Sequence, residues 1–153
     1  MTVYSLILAL HNIMRWVVLV LAVLALYRSI SGWLQKKDWI ETDRKVGVFF
    51  GISIDIQLLL GLILYLVISP WGIKAVVDQG MAYVMGNSAY RFFVVEHIFY
   101  MILAMIFAHL GSILPKKVQD AAKKHQRAAI FFILAVVVIL MGIPWGRPLF
   151  PGL

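Results

Sequence analysis

The sequence contains no cysteine, which excludes disulfides, thiolate-ligated metals and haem attached covalently through thioether bonds. Charged residues are also scarce, because they make up only 14% of the 153 residues while 63% are hydrophobic. Soluble domains carry about 25% charged residues. We therefore expect a single membrane-embedded domain that covers residues 1–153.

Motifs of the common enzyme classes are missing as well. The sequence has no glycine-rich phosphate loop, no nucleophile elbow and no His-x-x-x-His metal pair. Its polar segments are too short to fold a separate catalytic domain. An electron-transfer protein or an accessory subunit is therefore expected rather than a stand-alone enzyme.

Four long apolar runs cover most of the chain, at residues 4–27, 46–69, 92–114 and 128–145. Each is close to the length of about 20 residues that a helix needs to cross the hydrocarbon core of a bilayer. Strands are not expected, because the runs lack alternation and helices satisfy their own backbone in lipid. The pattern predicts an all-α fold, a bundle of four transmembrane helices. The first run has no basic flank and is too long for a signal peptide, so we expect it to be retained.

The basic residues indicate how the bundle lies in the membrane. Ten of the 14 lysines and arginines fall in two segments, 28–45 and 116–127, which connect the first span to the second and the third to the fourth. Connections rich in lysine and arginine stay on the cytoplasmic side. Both termini and the 70–90 connection are therefore expected outside. The net charge of +7 does not indicate nucleic-acid binding, because these charges are not gathered in one groove.

The two halves of the chain share a short internal repeat. Pro-Trp-Gly closes the second span at 70–72 and the fourth at 144–146, and each of these spans starts near a Phe-Phe pair. A true repeat would place two helical hairpins around a pseudo-twofold axis along the membrane normal, with spans one and three as diagonal partners. The alternative is convergence, since these residue types are all common at membrane interfaces.

Ionisable residues inside a bilayer are costly, which makes them candidates for function. Spans one and three supply His11 and His97, each a few residues below the outer end of its helix. Both spans run inward, so the two rings are expected at one depth, about 10 Å below the outer surface at about 1.5 Å per residue. The positions 7, 11 and 14 residues further along each helix share the histidine's face. Those positions hold Val18, Ala22, Ala25, Ala104, Ala108 and Gly111.

Two histidines at one depth on diagonal helices, above strips of small residues, are what bis-histidine ligation of haem b inside a bundle requires. With both axial positions filled, such a haem would not bind oxygen. Two alternatives are open. The histidines could be hydrogen-bonding groups in a closely packed bundle, or they could hold another ligand such as a chlorin or a quinone.

The other polar residues of the spans have two interpretations. An ion pair of Arg15 with Asp55, near Glu96, would compensate a buried arginine. Alternatively, Arg15 or Arg91 would face a haem propionate, because arginine binds carboxylates with two parallel hydrogen bonds. Trp16 could stack on a macrocycle, or it could face lipid or a neighbouring helix.

The remaining two histidines are expected to have lesser roles. His109 lies near the inner side and has no histidine partner at its depth. It is expected to be a hydrogen-bonding core residue or, with Asp55, half of a proton or quinone site. His125 lies in a basic connection beside Lys124 and Arg127, where we expect solvent or lipid headgroups around it.

Four motifs point to a family. They are Leu-His-x-x-x-Arg-Trp at 10–16, Asp-Arg-Lys at 43–45, Ile-Gln-Leu-Leu-Leu-Gly-Leu-Ile-Leu-Tyr at 56–65 and Arg-Phe-Phe-Val-Val-Glu-His at 91–97. With these motifs the sequence resembles, over nearly its whole length, small bacterial four-helix membrane proteins known under the label cytochrome B and frequent in Bacteroidetes-like genomes. The resemblance implies that His11 and His97 ligate haem.

One position departs from that family. Where many members have a histidine before Ile-Gln-Leu, this chain has Asp55, which argues against a second haem ligated by His109. Residues and resemblance together predict a haem-b electron-transfer protein of the bacterial inner membrane, or a haem-bearing subunit of a redox or photosynthetic complex. Quinol or an outer protein would be its electron partner. The alternative is a cofactor-free accessory subunit whose core is filled by a network of Arg15, Asp55 and Glu96.

Overall fold

The computed structural model describes residues 2–147 of the chain. Its four long helices are α1 (Val3–Leu34), α2 (Glu41–Ile63), α6 (His97–Ile113) and α7 (Ala121–Gly142). Within the described part of the chain there is no strand. Four helical stretches, built on these helices, are long and apolar enough to cross a membrane. The predicted all-α bundle of four spans is therefore confirmed.

At the end that carries the basic connections, α1, α2 and α7 run further than the apolar runs. We call this the inner end, and the end that carries residues 2 and 147 the outer end, after the predicted orientation. There Arg28 Nε donates to Asp43 Oδ1 at 2.7 Å, so the polar ends of α1 and α2 are tied together. At the outer end α7 stops at Gly142, earlier than the predicted limit of 145, because Pro144 disfavours a helical conformation in the residue before it.

Side-chain caps are found at the starts of three of the four long helices. Thr2 Oγ1 accepts from the backbone N–H of Ser5 at 3.2 Å, which begins α1. The Asp43 carboxylate accepts from the backbone N–H of Ile40 at 2.9 Å at the start of α2. Asp120 caps α7 by accepting from Lys123 N–H at 2.8 Å. Such caps satisfy N–H groups that the first turn of a helix leaves without a partner.

The long helices form a closed ring in which each packs against two neighbours. Helix α1 packs on α2 and α7, and α6 packs on the same two helices from the other side. Helices α1 and α6 are therefore diagonal partners, as the repeat predicts for spans one and three. Phe50 of α2 and Phe132 of α7 meet across the other diagonal with ring centroids 5.6 Å apart. Each belongs to one of the two repeated Phe-Phe pairs, an observation that supports the repeat.

Small residues allow the helices to approach closely in the inner half of the bundle. Ala22, Ala25, Ala108 and Ala128 are all buried in one core cluster. A Cβ on Gly111 would overlap the ring of Phe132, so glycine makes room for that ring. Close packing of this kind is what holds helices together in lipid, where burial of apolar surface between helices gains little.

Short helical segments cover the outer end. They are α3 (Ile73–Gln79), α4 (Met81–Gly86) and α5 (Ser88–Arg91). Gly80 joins α3 to α4 with a φ of 83°, a conformation that glycine adopts at little cost. The connection at 70–90 is thus mostly a series of helical turns.

Two π-helical segments flank these turns, Leu64–Ile68 after α2 and Phe92–Glu96 before α6. The hydroxyl of Tyr65 in the first donates to the carbonyl of Val94 in the second at 3.1 Å. Segments of π-helix are rare and are frequently found at functional sites. Both lie at the depth of the cavity described below.

Most apolar side chains of the long helices face outward. Between 17% and 39% of the residues in the most apolar part of each span are buried. Large hydrophobic side chains such as Val20, Leu59 and Val137 remain exposed on the outer faces of their helices. Lipid chains are the surroundings that suit such a surface, and the chain is accordingly a multi-pass membrane protein.

Candidate cofactor-binding cavity

His11 of α1 and His97 of α6 meet at the centre of the bundle near its outer end. Their ring centroids are 6.3 Å apart and their planes are inclined at 67°. Two imidazoles that ligate one metal from opposite sides have centroids about 6 Å apart, since each nitrogen lies about 2 Å from the metal and about 1 Å from its ring centre. The pair predicted from depth and helix face is thus brought together at a separation that suits a shared metal.

His97 is held in one orientation by its own hairpin. Its Nδ1–H donates to the backbone carbonyl of Gly142 in α7 at 2.6 Å. This hydrogen bond places the proton on Nδ1 and leaves the lone pair on Nε2. A backbone carbonyl on the second ring nitrogen is also the usual support of a metal-ligating histidine. Gly142 has no side chain, and a Cβ there would overlap Met101.

His11 is supported by α2, the second helix of its own hairpin. The amide nitrogen of Gln57 lies 3.2 Å from His11 Nε2 and donates to it. A Cβ on Gly61 would lie 3.2 Å from His11 Cε1, so glycine leaves room for the ring. Within residues 2–147, His11 Nδ1 and Gln57 Oε1 are buried without a hydrogen-bond partner. Such atoms cost about 1–3 kcal/mol each when nothing binds them, and they mark the site as receptive to a polar or metal-bearing ligand.

A cavity of about 470 Å³ surrounds the two histidines. Cofactor sites are typically about 300–1,000 Å³ and mostly apolar, with a few polar groups. This cavity fits that description. It reaches from the outer end down to Val18, Ile54 and Ala104, and its polar lining residues are Tyr4, Ser5, Asn12, Arg15, Gln57, Tyr65, Ser69 and Arg147.

The strips of small residues below the histidines divide into two parts. Val18 and Ala104, one per helix, line the floor of the cavity. The deeper members of each strip are buried against neighbouring helices instead, as Gly111 is against Phe132. Both uses considered from the sequence, space for a ligand and close helix packing, are therefore found at different depths.

Arginines lie at two levels of the cavity. Arg15, one helical turn inward from His11, is buried and lines the wall. Arg147 lies at the outer rim, where its guanidinium is 4.2 Å from the ring centroid of Trp71 and 4.3 Å from that of Phe93. Sequence reasoning missed Arg147, Gln57 and Trp71. The Pro-Trp-Gly repeat that immediately precedes Arg147 and contains Trp71 was the available signal for two of them.

Two residues predicted for the site lie outside it. Arg91 Nε donates to Glu96 Oε1 at 2.9 Å, and neither Arg91 nor Trp16 is among the described residues that line the cavity. Sequence reasoning could not place Arg91, because the π-helical turn at Phe92–Glu96 shifts the face that it occupies. Arg147 takes the rim position that was expected for Arg91.

The predicted network of Arg15, Asp55 and Glu96 is replaced by other pairs. Asp55 Oδ1 lies 2.8 Å from His109 Nε2, in a contact that joins α2 to α6. Glu96 pairs with Arg91. The two side chains of the Asp55–His109 pair are 43% and 40% exposed, so the pair lies on the side of the bundle. Pairing of His109 with Asp55 was one of the two interpretations of His109 from the sequence, and the structure places these two side chains in contact.

The prediction for His125 is wrong. Its side chain is 1% exposed and not surrounded by solvent or headgroups. The ring packs on Trp39 with centroids 4.9 Å apart, and Nε2–H donates to the carbonyl of Asp38 at 3.3 Å. The reason is Gly32 of α1, where a Cβ would overlap the imidazole. Glycine thus opens a space in which the first turns of α7 bury a histidine.

The protein residues alone do not form a complete metal site. Within residues 2–147, no group of three or more His, Cys, Asp or Glu side chains could hold a metal ion. Two histidines that face each other can both bind a metal held by a macrocycle, because the macrocycle supplies the other ligands. The ring separation and the cavity volume fit a haem, and a chlorin has the same macrocyclic shape.

Fold and site define a class: a four-helix membrane bundle with a bis-histidine cavity near one end. Comparisons with protein-family models, with curated proteins and with solved structures give no match. The cavity itself is therefore the basis for inferring the function.

Proposed function

We propose that the chain is a membrane electron carrier that binds one haem b between His11 and His97. The observation that carries the proposal is the 6.3 Å separation of the two ring centroids, inside a cavity of about 470 Å³. The proposal places the protein in the bacterial inner membrane, alone or as a subunit of a redox or photosynthetic complex, with quinol or an outer protein as electron partner.

The residues around the cavity would each have a defined task. His97 presents Nε2 because Gly142 fixes its Nδ1–H. His11 presents the opposite ring, and a metal bound there would compete with Gln57 for the lone pair of Nε2. When bound, a haem supplies a one-electron redox centre. Two protein ligands on one metal leave no open position for oxygen, so the proposal is electron transfer and not oxidase chemistry.

The arginines of the cavity support a cofactor that carries carboxylates. Arg147 lines the cavity at its rim, where a guanidinium could meet a carboxylate. Arginine recognises carboxylates with parallel hydrogen bonds. The cavity also reaches the outer rim, where Arg147 lies, so the polar edge of a cofactor could remain near water.

The alternative of a cofactor-free accessory subunit was based on a polar network in the core, and the structure pairs two members of that network with other residues. That alternative requires Arg15, Asp55 and Glu96 to fill the core. Asp55 pairs with His109 and Glu96 with Arg91 instead, while a cavity borders the two histidines. A packing role for the histidines would be expected to leave their buried nitrogens paired, and His11 Nδ1 has no partner among the described residues.

A dithionite-reduced minus oxidised absorption spectrum of the detergent-purified protein, expressed with haem precursor, tests the proposal. We expect a b-type difference spectrum in the native chain that is lost in His11→Ala and in His97→Ala. His109→Ala is the matched control. His109 lies in α6, as His97 does, but its side chain does not line the cavity. A native chain without haem signal would overturn the proposal, and extraction of a chlorin or quinone from that preparation would identify the other ligand.

A further inference from the structure

A second cavity lies at the inner end of the bundle, between the start of α2 and the connection from α6 to α7. Its volume is about 280 Å³. Three cationic side chains line it, Arg44, Lys116 and Lys124, together with the indole of Trp39 and the carboxylate of Glu41. The three cations come from three separate segments of the chain, which the fold brings to one place.

The positive charge of this cavity is only partly compensated. Arg44 and Glu41 form a bidentate ion pair, in which Arg44 Nε donates to Glu41 Oε2 at 2.8 Å. Within residues 2–147, no carboxylate lies within 4.0 Å of the ammonium group of Lys116 or Lys124. Three cations and one carboxylate leave a formal charge of +2 on the lining. The start of α2 adds the partial positive charge of a helix N-terminus.

The position of the cavity favours an anion that belongs to a lipid. Exposed apolar side chains lie beside the basic ones at this end, with Leu34 72% and Ile40 50% exposed. Lys116 follows Leu114 of the third span after only one residue, the buried Pro115. A surface that alternates apolar and cationic side chains at the end of membrane helices meets headgroups and the upper acyl chains together.

We propose that this inner cavity binds the phosphate group of an anionic phospholipid from the adjoining leaflet. Lys116 and Lys124 supply the uncompensated charge, and Arg44 supplies further donors while Glu41 fixes its position. The exposed Ile40 gives the acyl chains an apolar surface. This site is separate from the histidine cavity and does not depend on a haem.

Native mass spectrometry of the detergent-solubilised chain tests the lipid site. Phosphatidylglycerol is titrated against phosphatidylcholine with the same acyl chains, and we expect selective retention of phosphatidylglycerol. The double variant Lys116→Gln/Lys124→Gln should lower its affinity about tenfold or more, because each lysine near an anionic headgroup contributes substantially to binding. Lys37→Gln/Lys123→Gln is the matched control, since it removes two exposed charges from the same end of the bundle outside the cavity. Its affinity should stay within about twofold.

Three results would overturn the proposal. An equal loss in the two double variants would mean diffuse attraction to a basic surface and not a site. Equal binding of the two lipids would exclude recognition of the anionic headgroup. A third outcome would identify a free anion as the ligand. In that case, millimolar inorganic phosphate displaces phosphatidylglycerol, and without phosphate the chain binds the two lipids equally well. Lys116→Arg/Lys124→Arg keeps both charges, so retained binding in this variant separates a lost site from a misfolded chain.

Discussion

His11 and His97 belong to opposite hairpins of the bundle, and their rings face each other with centroids 6.3 Å apart. Each ring is supported by the second helix of its own hairpin, His11 by Gln57 and His97 by the Gly142 carbonyl. The two halves of the chain therefore contribute equivalent halves of one site. This symmetry is what the short Pro-Trp-Gly repeat would lead one to expect.

If the histidine cavity binds haem, as we propose, replacing Gly61 by leucine should prevent that binding. A Cβ at this position lies 3.2 Å from His11 Cε1, and the remaining atoms would enter the space beside the ring. We expect haem content per protein to fall about tenfold, because overfilling a packed site costs about 1–3 kcal/mol. A pyridine haemochrome assay measures it. Gly86→Leu is the control, at a position where a Cβ meets nothing within 4 Å, and equal haem in both variants would argue against a cofactor beside Gly61.

Arg147→Gln should lower the midpoint potential of the bound cofactor. The guanidinium lines the cavity rim and is held over Trp71, and loss of a nearby positive charge favours the oxidised state. We expect a decrease of roughly 20–60 mV, where about 59 mV is a tenfold change for one electron. Spectroelectrochemical titration gives the value. Lys74→Gln removes an exposed charge from the same outer end but outside the cavity lining, and an equal shift there would assign the effect to net charge.

Gly32→Ala should destabilise the inner end of the bundle. The new Cβ would overlap the buried ring of His125, so we expect the free energy of unfolding to fall by about 1–3 kcal/mol. Denaturant titration in detergent, followed by tryptophan fluorescence, measures this change. The double variant Gly32→Ala/His125→Ala provides the test of mechanism, because removal of the ring removes the overlap. Additive losses in the double variant would show that the two residues are not in contact.

The Asp55–His109 pair should stabilise the bundle without affecting the cavity. A double-mutant cycle with Asp55→Ala and His109→Ala is expected to give a coupling of about 0.6 kcal/mol, the average for polar pairs between membrane helices, and at most about 1.7 kcal/mol. The haem difference spectrum should be unchanged in all three variants. A changed spectrum would connect the pair to the cofactor, and a coupling near zero would mean that the contact adds nothing to helix association.

Periodicity and charge predicted the parts of this protein that depend on a bilayer. The four spans followed from run length, and the matched depth and face of His11 and His97 followed from two inward-running helices. Residues such as Gln57 and Arg147 could not be found that way, because their place depends on which helix packs beside which. Arg91 was misplaced for a local reason, the π-helical turn at Phe92–Glu96. His125 was misplaced because a glycine on another helix, Gly32, opens space that sequence distance does not reveal.

The packing differs between the two ends of the bundle, and this difference has a consequence for folding in the membrane. In the core of the inner half, buried alanines, the Phe50–Phe132 contact and the His125 ring against Gly32 bring the helices into close contact. At the outer end a cavity separates the same helices. A cofactor bound by both His11 and His97 would link the first hairpin to the second. Because neither hairpin alone carries both histidines, the cofactor could bind only after both hairpins are inserted in the membrane and packed together.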